Sequence, residues 1–325
     1  MPAIETHNLT RHYGALVAVD HLDLTVESGE IYAFLGPNGA GKTTTIRMLT
    51  GLIRPTEGTA LIDGLDVTRN PLEVKARVGV VPQRSNLYGE LSARDNLIFV
   101  AGLYGVPRGH RRARADALLE QFGLSERANA PFGALSGGMK RRLTIAAALV
   151  HEPPILFLDE PTTGLDVHAA RALRETIVGL HHHGVTLFLT THQIAEAERL
   201  ADRVAILVKG KVVAVDTPAA LRAACCAEEA LEVNVTPLTE TLQATLRDLD
   251  TVTYLSRRGD ALHLGVTAVD DALHAVLATA RDCGARVTAV RTVTPTLEDA
   301  FVQLTHLDVE TMAAGGANNR QGGPR

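Results

Sequence analysis

Short apolar runs closed by turn residues alternate along this chain with stretches of helical periodicity. Residues 3–9 and 16–26 alternate apolar and polar positions and predict two antiparallel strands. Residues 31–35 are apolar throughout, the pattern of a strand buried on both faces of a parallel sheet. A helix is predicted over 44–52, and strands over 59–62 and 78–81. From residue 84 to about 135 the pattern turns helical, over 95–104 and 111–122. The second helix sets Arg and Glu on one face and Leu118, Leu119 and Phe122 on the other. Met139, Leu143, Ala147 and Val150 recur at helical spacing after Leu135-Ser136-Gly137-Gly138. Buried strands over 155–158 and 185–190 enclose a helix over 167–180, and a hairpin over 204–215 turns at Lys209-Gly210.

The pattern then restarts. A helix over 219–227 leads to a strand (229–235), a helix (238–249) and two strands (251–256, 261–266) around Arg258-Gly259-Asp260. A helix (269–281) and a strand (286–293) complete the order β-α-β-β-α-β, that of a split βαβ or ferredoxin-like unit. A last helix is predicted over 296–304. The expected organisation is α/β. A parallel-sheet core spans 1–220 with an antiparallel β subdomain and a helical subdomain at about 84–150. A small α+β domain follows over 221–306. Residues 307–325 are rich in Gly, Asn and Arg and read as a disordered tail.

Composition narrows the classes. A chain of 325 residues with 46% hydrophobic content can fill two cores. A formal net charge of -5 speaks against a nucleic-acid partner. No apolar run nears the ~20 residues of a membrane helix, and the N-terminus lacks an apolar signal region. Any work at a membrane is therefore expected to pass through another protein. Three cysteines, two of them adjacent at 225 and 226, predict reduced thiols and a cytosolic chain. Arg108, Arg111, Arg112 and Arg114 read as a solvated helix start. His181-His182-His183 cannot converge on one ion and reads as a helix end.

The candidate chemistry begins at residues 36–43, Gly36-Pro37-Asn38-Gly39-Ala40-Gly41-Lys42-Thr43, which fit the phosphate-binding P-loop between a strand and a helix. Its glycines let backbone N–H groups approach a phosphate, and the helix N-terminus adds positive charge. Lys42 is placed for the β- and γ-phosphates and the Thr43 hydroxyl for Mg²⁺. Asp159 and Glu160 end a buried strand, where adjacent carboxylates are costly unless a cation or a proton is handled. If strand geometry persists, their side chains point opposite ways, one to the metal and one to the attacking water. Ser136 is placed as an N-cap, with the paired glycines opening a helix N-terminus to an anion.

Taken in order, these stretches resemble the ATP-binding subunit of an ABC transporter over about residues 3–220. The resemblance implies a set of roles. Residues 36–43 correspond to Walker A, with Thr44 beside it at the nucleotide, and Tyr13 stacks on adenine. Gln83 is the Q-loop glutamine, which coordinates Mg²⁺ and senses the membrane partner. Ser136, Gly137 and Gly138 belong to the signature, which here ends in Met139 rather than Gln. Asp159 is the Walker B aspartate on Mg²⁺ and Glu160 the catalytic glutamate. Asp166 lies in the D-loop, and His192 is the switch histidine. Residues 221–306, with 294–301 near their end, resemble the extension of daunorubicin/doxorubicin-resistance ATPases.

The implied function is ATP hydrolysis that powers efflux of a drug-like or amphipathic compound. It implies ATP and Mg²⁺ as cofactors and a head-to-tail homodimer. It also implies a separately encoded type-2 ABC permease and a place on the cytoplasmic face of the cell membrane. The rival readings are a soluble ABC ATPase of translation or repair and a P-loop GTPase. One cassette, no long coiled-coil insertion and no Asn-Lys-x-Asp motif speak against them. Because the hairpin closes the ATPase core, a chain cut after about residue 220 is expected still to bind ATP but to assemble poorly as a dimer or with its permease.

Overall fold

The computed structural model describes residues 2–225, 229–259, 261–305 and 307. The predicted tail lies outside them, except for Leu307. The chain opens with β1 (Pro2–Tyr13), β2 (Leu16–Glu27), β3 (Ile31–Leu35), α1 (Lys42–Leu49), β4 (Glu57–Ile62), β5 (Leu65–Asp66), α2 (Pro71–Arg77) and β6 (Val78–Val81). A four-stranded sheet has the order β2-β1-β4-β5, with antiparallel pairing throughout. The helical subdomain holds α3 (Ala93–Leu103), α4 (Arg108–Gln121) and α5 (Gly137–Ala148). Next come β7 (Ile155–Asp159), α6 (Val167–His182), β8 (Thr186–Thr191), α7 (Ile194–Leu200), β9 (Arg203–Val208), β10 (Lys211–Asp216) and α8 (Pro218–Cys225).

The central sheet has the order β10-β9-β3-β8-β7-β6. Its strands pair in parallel from β9 to β6, and only β10 is antiparallel. Every residue of β3, β7 and β8 is buried, as their near-continuous apolar runs require. The sheet separates two cores by simple alternation. Ile31, Ala33 and Leu35 face one, with the helical subdomain. Tyr32 and Phe34 face the other, with α1 and the antiparallel sheet. Phe188 packs between Phe34 and Phe157 at 5.5 and 5.4 Å.

The remaining elements are β11 (Glu229–Thr236), α9 (Glu240–Arg247), β12 (Val252–Arg258), β13 (Ala261–Val266), α10 (Val269–Asp282), β14 (Arg286–Val293) and α11 (Leu297–Thr305). Their antiparallel sheet has the order β12-β13-β11-β14, the split βαβ arrangement expected from element order. Leu231, Val233, Leu242, Leu264 and Val276 form a third core between this sheet and its two helices.

Two details depart from expectation. The hairpin is not the last element of the ATPase core. Leu297, Ala300 and Phe301 of α11 are fully buried in the same cluster as Leu221 of α8 and Ala197 of α7. A capping box starts this helix: Asp299 accepts from Thr296 N at 2.7 Å, and the Thr296 hydroxyl accepts from Asp299 N at 3.4 Å. Glu198 of α7 holds the entry by pairing with Arg222 of α8 and accepting from Leu297 N at 3.4 Å. The other departure is the short helix α2, which the apolar pattern does not reveal. It has one buried residue, Val74, and Pro71 in its first turn is its local signal.

Candidate functional site

The loop after β3 is shaped by close backbone approach. Gly39 and Gly41 have φ of 83° and 110°, a region open to glycine. A Cβ at Gly41 would lie 2.3 Å from Ala18 O, and one at Gly36 would lie 2.3 Å from Leu207 O. The loop is therefore wedged between β2 and β9. Gly36 N donates to Thr191 O at 3.2 Å, and Gly210 N donates to Ala40 O at 2.9 Å. Lys42 Nζ donates back to Gly36 O at 2.7 Å and Pro37 O at 3.1 Å. Burial pulls its pKa down, against the opposing charge of Glu160.

The carboxylates at the end of β7 are held by different partners. Asp159 accepts from the Thr43 hydroxyl at 2.9 Å and from the Thr190 hydroxyl at 2.6 Å. Glu160 has φ 45°, so the strand does not continue through it. The expected opposition of the two side chains, which required a continuing strand, therefore has no basis. At this left-handed turn Glu160 N donates to Thr190 O at 3.1 Å and to the Thr190 hydroxyl at 3.2 Å. Glu160 Oε1 lies 3.4 Å from Lys42 Nζ and 3.2 Å from His192 Nδ1. The approach of His192 Nδ1 does not meet hydrogen-bond geometry, and it is an ion pair when the ring is protonated. Glu160 Oε2 accepts from Gln83 Nε2 at 3.1 Å and from the Thr163 hydroxyl at 3.2 Å. Burial pushes the Glu160 carboxyl up, but His192 and Lys42 outweigh it and hold it at about 2. Its folded value lies below its ordinary 4.5. Its contribution to stability is thus present above that value and fades as pH falls through about 2.

Most of the predicted residues line one of two separate clefts, while Gly36, Pro37, Ala40, Asp159 and His192 line neither. One, of about 670 Å³, is lined by Tyr13, Asn38, Gly39, Gly41, Lys42, Thr43, Thr44, Gln83 and Glu160. The other, of about 460 Å³, is lined by Ser136, Gly137, Gly138, Met139 and Asp166. In the second, Ser136 caps α5 by accepting from Met139 N at 3.3 Å. Asp166 caps α6 by accepting from Ala169 N at 2.8 Å. Gly138 is needed for packing, because a Cβ there would lie 2.9 Å from that of Ala169. Pro37 serves through its carbonyl, and Ala40 is buried beneath the loop.

Sequence reasoning missed several residues of the first cleft. Leu16, Val17 and Ala18 line it beside Tyr13, and Lys209 enters from the β9–β10 turn. Thr190, which the apolar pattern places only in a strand, holds Asp159. The polar run Thr190-Thr191-His192 at the end of an apolar strand was its available signal. No cluster of three or more His, Cys, Asp or Glu suited to a metal occurs among the described residues. The hard oxygens of Thr43 and Asp159, which touch each other, are the donor type that Mg²⁺ takes alongside phosphate oxygens.

A family model described as ABC transporter matches residues 19–163. The chain is 37% identical to a daunorubicin resistance ATP-binding protein of Streptomyces coeruleorubidus, over 93% of this chain and 95% of that one. It is 33% identical to a linearmycin resistance ATP-binding protein of Bacillus subtilis, over 93% and 98%. A Nod factor export ATP-binding protein of Burkholderia orbicola is 44% identical over 67% of this chain and 72% of its own length. Among solved structures, an ATP-binding subunit of an ABC transporter superposes with TM-score 0.62 and 34% identity, covering 68% of this chain and 92% of that one. A dimeric ATP-binding cassette bound to ADP and Pi superposes with TM-score 0.60 and 28% identity, covering 66% and 98%.

Proposed function

The chain belongs to the ATP-binding subunits of ABC transporters, and from that membership we propose that it powers efflux of a drug-like or other amphipathic compound through a separate type-2 permease. It is an ATPase of that family, homologous to drug-resistance and Nod factor export ATPases. The observation that carries the mechanism is the division of the site into two clefts on one chain. Neither is a complete ATP site. Two chains placed head to tail would set the α5 N-terminus of each against the γ-phosphate held by the other's loop.

In this reading Thr43, Asp159 and Gln83 are the residues that would hold Mg²⁺ beside the nucleotide. Bound there, it would neutralise charge developing on the phosphates. Glu160 takes the proton of the attacking water, and His192 holds its carboxylate. The ammonium of Lys42 is directed at the β- and γ-phosphates.

Exposed apolar groups support a permease-facing surface in the helical subdomain. Tyr88, Phe99 and Leu103 are 52%, 41% and 70% exposed. Tyr88 and Phe99 meet edge to face at 5.2 Å beside a cleft that reaches Ala147 and Ala148 of α5. Such a patch suits a partner's helix, and it lies in the segment that follows Gln83. No described helix is long and apolar enough to cross a membrane, which accords with a peripheral place on the cytoplasmic face. Co-purification with a permease encoded nearby, and stimulation of its ATPase by candidate compounds, tests this. A Leu103→Glu chain that still assembles with that permease would remove the patch from the interface.

Nucleotide choice is expected to be loose. The Tyr13 ring is 42% exposed at the cleft mouth, with the Arg11 guanidinium 4.7 Å from its centroid. A ring stacks on any base, so ATP should be preferred over GTP only modestly. Tyr13→Ala should weaken ATP binding by about 5- to 150-fold, the effect of losing one base–aromatic stack. Titration with a fluorescent ATP analogue measures it, and unchanged affinity would take Tyr13 out of the site.

A further inference from the structure

Arg141 is used by none of the roles above. It lies on α5, five residues beyond the Ser136 cap, and is 8% exposed. Its guanidinium makes three hydrogen bonds, all to backbone carbonyls. Nε donates to Pro161 O at 2.8 Å, Nη2 to Asp159 O at 2.9 Å and Nη1 to Pro82 O at 2.5 Å. Asp159 and Pro161 flank Glu160 in sequence. Pro82 precedes Gln83, whose amide holds Glu160 Oε2. One planar group thus grips the backbone on both sides of the catalytic carboxylate and the strand end that carries its glutamine partner. Burial pulls the guanidinium down to about 10, offset by the carboxylates of Asp159 and Glu196. A rigid fork of N–H groups can span three carbonyls fixed in this way, whereas a compact ammonium cannot.

We propose that Arg141 is a positioning residue that couples the two ATP sites of the dimer. Helix α5 offers its N-terminus to the partner's nucleotide. Through Arg141 the same helix is tied to the backbone around this chain's own Glu160. Closure of the signature end on one ATP therefore aligns the carboxylate that hydrolyses the other. The inference rests on the head-to-tail arrangement proposed above.

The far end of α5 supplies a control. There Arg114 also donates to backbone carbonyls, to Leu149 O at 2.8 Å and Val150 O at 3.1 Å, but touches no catalytic loop. The experiment compares wild type, Arg141→Lys, Arg141→Gln and Arg114→Lys in the full chain. It measures ATP-analogue affinity, steady-state turnover against ATP concentration, and melting temperature. Wild type should show a Hill coefficient clearly above 1 and at most about 2, the number of coupled sites. Arg141→Lys should keep analogue affinity within about twofold, lose turnover about 10- to 100-fold and bring the Hill coefficient near 1. Arg114→Lys should lower the melting temperature and leave the Hill coefficient unchanged. A purely structural Arg141 would behave like Arg114. Arg141→Gln keeps a planar donor and gives a second variant if the lysine does not fold. An unaltered Hill coefficient in either folded Arg141 variant would overturn the proposal, as would the same loss in Arg114→Lys. A wild type that dimerises with ATP but shows a Hill coefficient of 1 would overturn it too, leaving the dimer standing. Failure to dimerise at all would remove both.

Discussion

Glu160→Gln is expected to bind Mg-ATP, to hydrolyse it about 10²–10⁴-fold more slowly than wild type, and to accumulate as an ATP-locked dimer. The site geometry gives the reason. The glutamine keeps the size of the side chain and an oxygen for Gln83 and Thr163. It loses the base and the negative charge that faces Lys42 at 3.4 Å. Lys42, Thr43, Asp159 and the loop amides remain to hold nucleotide and metal. With the carboxylate gone, Lys42 has one fewer competitor for its charge, so affinity should hold or rise. Asp159→Asn should differ in kind. Asp159 meets the Thr43 hydroxyl directly, so its loss should weaken Mg²⁺ binding as well as turnover. Single-turnover hydrolysis and sizing chromatography with ATP separate the two. Near wild-type turnover in Glu160→Gln would mean that another residue positions the water.

A chain ended at residue 220 is expected to lose its folded ATPase core rather than merely its accessory domain. Such a cut removes Leu221, Leu297 and Phe301, all buried in the cluster that carries α7. Burying one such side chain is worth about 1.5–3 kcal/mol, so three amount to roughly 5–9 kcal/mol. Native domains are stable by only about 5–15 kcal/mol. The shortened chain should aggregate or melt far below the full one. Phe301→Ala isolates the effect in the intact protein. It should cost about 3–5 kcal/mol and lower the melting temperature by about 10 °C. Scanning calorimetry checks both. A 1–220 chain that melts with the full protein and binds ATP would restore the hairpin as the true end of the ATPase.

The phosphate loop, the buried strands and the split βαβ order were legible because each depends on neighbours in sequence. A run such as 31–35 has no polar face and must lie inside a sheet. The glycines of 36–43 free the backbone for the left-handed turns found at Gly39 and Gly41. Alternation in 229–235 and 261–266 sets one face of each strand on its helices. Asp159 and Glu160 were legible as a pair, and His192 through its place in the resemblance.

What the sequence could not decide lay between segments far apart in the chain. Nothing local in Thr190 announces a bond to Asp159, and nothing local in Arg141 announces three carbonyls from two other loops. Local pattern also cannot say that a helix beginning at 297 would fill a core built from residues 31–206, because burial is a property of the assembled packing. The turn at Glu160 depends in the same way on tertiary context. Strand periodicity would carry its side chain away from Asp159, and the left-handed conformation found beside Lys42, Gln83 and His192 is held by bonds from distant segments, from its own N–H to Thr190 and from Arg141 to the carbonyls of Asp159 and Pro161.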